Sequence, residues 1–205
     1  MRTFVALELP PEFTRPLYDA LVISQERYPG FRWTRKENYH ITLAFLGELD
    51  DRGVSLLEEA VQETVQNTEP FSIEAGNIIR LPPRGSPRVI ALDIEKGKNE
   101  IRLLAARFEE ILAAIGEKEG CPFRKPETRP YTPHLTLARK GGTALEFPRD
   151  ERNWSIRAHG MIRKVTVYKS ELYREGPRYT ALAVFPLGNS TESLHTSPGD
   201  KTFRG

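Results

Sequence analysis

The chain has one cysteine, four histidines and two methionines in 205 residues. It has no apolar run close to the roughly 20 residues that a membrane-spanning helix needs. Each scarcity removes a class of chemistry. A lone Cys121 excludes an internal disulfide and any multi-cysteine metal site, and it fits a reducing compartment. No HxH, HxxxH or CxxC spacing supplies a ligand set. No Gly-x-Ser-x-Gly elbow is present for a nucleophilic serine, and neither a Walker loop nor GxGxxG occurs. The opening MRTFVALELP reads as a strand, without the charged-then-apolar pattern of a signal peptide. These features lead us to expect a cytoplasmic protein with no membrane attachment, no metal and no cofactor. The net charge of +2 is too small to argue for nucleic acid by itself.

Two of the four histidines sit in one repeated pattern, His40-Ile41-Thr42-Leu43 and His134-Leu135-Thr136-Leu137. Both copies lie in short apolar runs, YHITLAFLG and PHLTLAR, that read as buried or half-buried strands. Side chains two apart on a strand share a face, so each histidine faces the same way as its threonine. If the two strands are neighbours, two imidazoles and two hydroxyls converge around one small anion. Basic residues flank both copies: Arg35 and Lys36 before the first, Arg124, Lys125, Arg129, Arg139 and Lys140 around the second. By strict alternation Arg139 falls on the side of Leu135 and Leu137, so it reaches the histidine face only where the strand ends, twists or bulges. Phe45 has the core-facing parity of Ile41 and Leu43. Tyr131, in the loop before His134, and Trp33 complete the aromatics that could stack a base. His159 and His195 lie outside the repeated pattern.

The periodicity predicts a strand at 3–9, a helix from Pro11 to about Tyr28, and the first motif strand at 40–46. A helix capped by Asp50 or Asp51 runs to Asn67, then strands FSIEAGNIIRL and RVIALDIE flank a PPRGSP turn. A third helix capped by Asn99 stops at Gly116. The second motif strand and two more strands, MIRKVTVYKSEL and RYTALAVFPL, follow. In each half a helix precedes a His-x-Thr strand, which predicts an α+β fold of two pseudo-twofold lobes. Antiparallel sheets would line a central groove and helices would cover the outer faces. Residues 1–187 form one catalytic unit on this reading, and 188–205, rich in Ser, Thr, Gly and Pro, form a disordered tail.

What remains chemically is acid–base catalysis by paired imidazoles, whose ordinary pKa near 6.5 lets one be neutral while the other is protonated. Phosphodiester cleavage suits such a pair. Hydroxyls and a nearby cation would hold the non-bridging oxygens.

The paired motifs, MRTFVALELP, WTRKENYHITLAFLGEL and RPYTPHLTLAR resemble the 2H phosphoesterases, specifically the bacterial and archaeal RNA 2′,3′-cyclic phosphodiesterases, also called 2′-5′ RNA ligases. The resemblance runs from Met1 to about Leu187. It implies hydrolysis of 2′,3′-cyclic phosphate ends of RNA to 2′-phosphomonoesters, and an ATP-independent, reversible 2′-5′ joining of some RNAs. It makes His40 the proton donor to the leaving 3′ oxygen and His134 the acceptor that activates water. Thr42 and Thr136 would hydrogen-bond the phosphate and Arg139 would add charge beside it. Apart from the resemblance, the position of Tyr131 makes it a further candidate substrate contact, and we expect a monomer. The residues alone also leave open a phosphodiesterase for small cyclic nucleotides or an ADP-ribose cyclic phosphate, and a non-catalytic nucleotide- or RNA-binding module.

Overall fold

The computed structural model describes residues 1–121, 123, 131–141, 156–174, 176–188 and, for the backbone only, 194–195. Arg124, Lys125, Arg129 and most of the expected tail lie outside the described residues. The strands are β1 (Arg2–Glu8), β2 (Phe31–Trp33), β3 (His40–Glu48), β4 (Phe71–Leu81), β5 (Val89–Lys96), β6 (His134–Lys140), β7 (His159–Ile162), β8 (Lys164–Tyr173), β9 (Gly176–Pro186) and β10 (Leu194–His195). The helices are α1 (Pro11–Arg27), α2 (Asp51–Gln66) and α3 (Lys98–Glu119). Among the described residues no helix is long and apolar enough to cross a membrane.

The expected helices form for the expected reasons. Proline at the first position of α1 suits a site whose N–H has no helical partner. Phe13, Leu17, Leu21 and Ser24 form its buried face, and Ser24 rather than Ile23 continues the stripe, being 7% exposed against 74%. The Asp50 side chain accepts from the Gly53 amide at 2.7 Å and caps α2. Helix α3 departs from expectation at both ends. Gly97 precedes it at φ +81, and it runs past Gly116 to Gly120, whose φ of +63 terminates it. Gly116 is instead a packing position: a Cβ there would collide with the Cys121 carbonyl.

The strands form one antiparallel sheet in the order β10-β9-β8-β1-β3-β6-β5-β4-β7, with β2 added to β6. The two lobes are the halves of this order, joined edge to edge between the motif strands β3 and β6. Their recorded partner pair is Ile41 with Leu135. Leu7, Ile41, Leu135 and Leu92 align in register across β1, β3, β6 and β5, each 0% exposed, and pack with Phe13, Leu57 and Phe108 of the helices. The helices therefore cover one face of the sheet, leaving the opposite face to the motif histidines. The units β1-α1-β3 and β5-α3-β6 repeat one strand–helix–motif-strand plan, and the pseudo-twofold passes through the Ile41–Leu135 pair. Strands β8 and β9 complete the first lobe although they follow β6 in sequence.

Candidate active site

Continuing the antiparallel register one step either way from Ile41 and Leu135 sets His40 across from Thr136 and Thr42 across from His134. Each motif histidine thus sits beside the threonine of the other motif. The two imidazoles are oriented alike. Nδ1 of His40 lies 2.7 Å from the Asn38 carbonyl oxygen, and Nδ1 of His134 lies 2.8 Å from that of Thr132. A carbonyl only accepts, so in both rings Nδ1 carries the hydrogen and Nε2 is left to exchange protons. Nε2 of His40 stands 3.0 Å from Thr42 Oγ1.

Arg139 reaches this face through a bulge. Along β5, Ala91 and Ile90 are consecutive, but their partners Thr136 and Ala138 skip Leu137. Leu137 and Ala138 are accordingly both buried, and Arg139 returns to the side of His134 and Thr136. The same irregularity recurs in β3, where Ala6 pairs with Thr42 and Val5 with Ala44, skipping Leu43. Strict alternation is wrong for both strands, and Phe45 is the corresponding correction. It shares a face with His40, half-buried, stacked 6.4 Å from Phe4 and covered by the Arg2 guanidinium at 4.8 Å.

His40 sits in an aromatic box. Phe4 and Tyr179 lie 5.1 and 5.3 Å from its ring, and Tyr168 lies 6.4 Å away. Burial holds the His40 pKa below its ordinary value. The Asn38 hydrogen bond works in the opposite direction, and electrostatic repulsion from the side of His134 and Arg139 adds to the lowering. Tyr179 comes from the β8–β9 hairpin, whose Pro177 carbonyl accepts from Asn38 Nδ2 at 3.0 Å. Asn38 therefore holds the hairpin with its side chain and His40 with its backbone. Tyr168 and Tyr179 were not foreseeable as neighbours of His40, because they reach it from the β8–β9 hairpin; Phe4 reaches it from the adjacent strand β1, and Asn38 is two residues away in sequence.

Tyr131 is placed differently from a free stacking platform. Its ring packs against the core and its hydroxyl donates to the Thr42 carbonyl at 2.8 Å, tying the second motif's loop to the first motif strand. Trp33 also packs against the core, with its indole N–H on the Tyr28 carbonyl. His159 lies in the edge strand β7 opposite Glu74. On β5, Asp93 stands across from His134 and is bound to Lys98 Nζ at 2.6 Å. Among the described residues no three His, Cys, Asp or Glu side chains group as metal ligands. The arrangement brings two imidazoles with Nε2 left to exchange protons, two threonine hydroxyls and a guanidinium to one face of the sheet.

Comparison with known proteins bears on the family and the fold. The LigT like Phosphoesterase family matches residues 7–91. The RNA 2′,3′-cyclic phosphodiesterase of Bacillus subtilis (strain 168) is 31% identical over 185 residues, 90% of this chain and 95% of the relative. That of Archaeoglobus fulgidus is 30% identical over 187 residues, 90% of this chain and 99% of the relative. The crystal structure of TT0787 of Thermus thermophilus superposes with a TM-score of 0.75 at 24% identity, covering 94% of this chain and all of the other, and so shares the fold.

Proposed function

The chain belongs to the LigT-like phosphoesterases and is a 2′,3′-cyclic phosphodiesterase, and from that premise we propose that it opens 2′,3′-cyclic phosphates at the ends of RNA with His40 as acid and His134 as base. The observation that carries this reading is the Ile41–Leu135 register, which interleaves the two His-x-Thr pairs around one space.

Neutral His134 takes a proton from water through Nε2 as the water oxygen attacks phosphorus. The bond from phosphorus to the 3′ oxygen breaks, and His40 delivers its Nε2 proton to that oxygen. The products are a 2′-phosphomonoester and a free 3′-hydroxyl. The attack leaves His134 protonated and His40 neutral, and exchange with solvent resets both. Thr42, Thr136 and Arg139 stabilise the charge that builds on the non-bridging oxygens. Burial keeps His40 neutral in the empty site, whereas the bound phosphate's negative charge favours its protonated form. Its depressed pKa also makes the protonated ring the stronger acid. Tyr131 serves as a strut between the motifs. With a 5′-hydroxyl in place of water as the attacking oxygen, the same steps open the 2′,3′-cyclic phosphate onto that hydroxyl, expel the 3′ oxygen and leave a 2′-5′ phosphodiester without ATP; run backward, they cleave that bond and re-form the cyclic phosphate.

We place the enzyme in the cytoplasm as a monomer, with residues 1–187 as its catalytic unit and 188–205 as a dispensable tail. The deciding experiment incubates it with an RNA ending in a 2′,3′-cyclic phosphate. A 2′-phosphomonoester is expected. A 3′-phosphomonoester, or an unchanged end, would overturn the proposal.

A further inference from the structure

Strand β2 lies end to end with β3 on the same side of β6, so the face bearing the histidines continues past them. There Arg32 is the direct cross-strand partner of Arg139. Phe31 is buried and Trp33 packs against the core, so the alternation along β2 turns Arg32 to the opposite side, where it is exposed. Arg139 already faces the groove, since its charge is felt at both His40 and Tyr179. Neither arginine forms an ion pair with a carboxylate among the described residues. Like charges directly opposite in a sheet are destabilising, so folding alone gives no reason to oppose these two. The site is also firmly built. Thr34 donates its amide to the Leu137 carbonyl at 2.8 Å. Gly141 approaches the Gly30 carbonyl so closely that any side chain there would force β2 away from β6.

We propose that Arg32 and Arg139 form a second phosphate subsite, which takes the phosphodiester on the 5′ side of the terminal nucleotide and so selects polynucleotide ends over mononucleotides. This rests on the proposed reaction for its orientation. From Thr136 to Arg139 the strand advances roughly 7–10 Å at ~3.3 Å per residue, shortened by the bulge, a span that one nucleotide of extended strand bridges. The planar guanidinium of Arg32 suits bidentate contact with a phosphate. Arg139, whose charge is felt at His40, stands between the two phosphates, and Arg32 directly across from it supplies the contact that belongs to the neighbouring phosphate alone.

The test compares a nucleoside 2′,3′-cyclic phosphate with a short RNA carrying the same end. Arg32→Ala should raise KM for the RNA about tenfold, the lower part of the usual range for a hydrogen bond to a charged group, and leave kcat/KM for the nucleoside unchanged. It should lower the salt slope of RNA affinity by about one phosphate's contribution, roughly 0.7 for a single strand. Arg32→Lys, a point charge without the fork, should recover the salt slope but only part of the affinity. The melting temperature of Arg32→Ala should equal or exceed the wild type's, because a repulsion is removed. An equal loss on both substrates, or no loss on RNA, overturns the subsite. Binding of an RNA with a 2′-phosphate end, followed by fluorescence anisotropy, needs no turnover. If the wild type fails to turn over either substrate yet binds this RNA in an Arg32-dependent way, the reaction is wrong and the subsite stands. Binding that is indifferent to Arg32→Ala overturns the subsite itself.

Discussion

Replacing Tyr131 with phenylalanine separates a strut from a stacking platform, because it keeps the ring and removes one hydrogen bond. The hydroxyl donates to the Thr42 carbonyl at 2.8 Å across 89 residues of sequence. Burial, with Glu109 adding to it, pushes the phenol pKa up, so the group remains a donor throughout the neutral range. Deleting one partner of such a bond leaves the other unsatisfied and costs about 1–3 kcal/mol. At about 2–4 °C per kcal/mol for a chain of this size, Tyr131→Phe should lower the melting temperature by roughly 2–12 °C. Thr42 lies on the strand that presents His40, so kcat should fall as well while KM for RNA stays near the wild-type value. A stacking role predicts the reverse. Phenylalanine would then be silent, and Tyr131→Leu would raise KM for RNA by about 5–150-fold, the equivalent of 1–3 kcal/mol per stacked base. Thermal denaturation and steady-state kinetics on the two variants decide it. A Tyr131→Phe protein that melts with the wild type would refute the strut.

The catalytic assignments make further predictions. His40→Ala should cost on the order of 10²–10⁴ in rate on a natural cyclic phosphate, with most of the loss recovered on an analogue that expels nitrophenolate, whereas His134→Ala should stay defective on both; rescue of the His134 variant instead would reverse the roles. Because His40 acts as the acid only when protonated and burial disfavours that form, kcat/KM, which reports the free enzyme, should fall on the alkaline side of its profile, and that limb should vanish in His40→Ala. The same shift has a stability consequence. Below about pH 6.5 the unfolded chain takes up a proton that folded His40 refuses, so urea stability should decline as pH falls from there toward the folded pKa, and decline less in His40→Ala. Turnover should persist in excess chelator, since the two histidines supply acid and base; loss with EDTA and recovery with a divalent ion would show otherwise. Removing residues 188–205 should leave turnover nearly unchanged, and a large fall in melting temperature would show that the short β10 pairing on β9 supports the sheet.

The sequence makes the motif faces legible because alternation holds over the three residues from each histidine to its threonine. It fails one residue later. The bulges at Leu43 and Leu137 change the parity of the residues that follow directly, which is why Phe45 and Arg139 face opposite to a simple count, and a second shift at Leu46 changes it again in β3. No residue type in LTLAR or ITLAF announces a bulge. Strand β2 is three residues long, too short for periodicity to register, and Arg32 owes its place to that strand. The aromatic box needs Tyr168 and Tyr179 to arrive from a hairpin more than 120 residues after His40, and only the folded sheet shows that meeting. The end of α3 differs from the expected one for a local reason: Gly116 serves packing, and the terminator is Gly120.

The order in which the chain is synthesised does not match the order of its sheet. Both motif strands have emerged by Lys140, yet β1, which borders His40's strand, still lacks the neighbour β8 that the last part of the described chain provides. A nascent protein folds from its N-terminal side first. It would hold all its catalytic groups for some time without Tyr179 over His40 or Pro177 on Asn38. On the proposed assignment, competence arrives with the closing hairpin, and a product ending at Lys140 is expected to carry both histidines and open no cyclic phosphate.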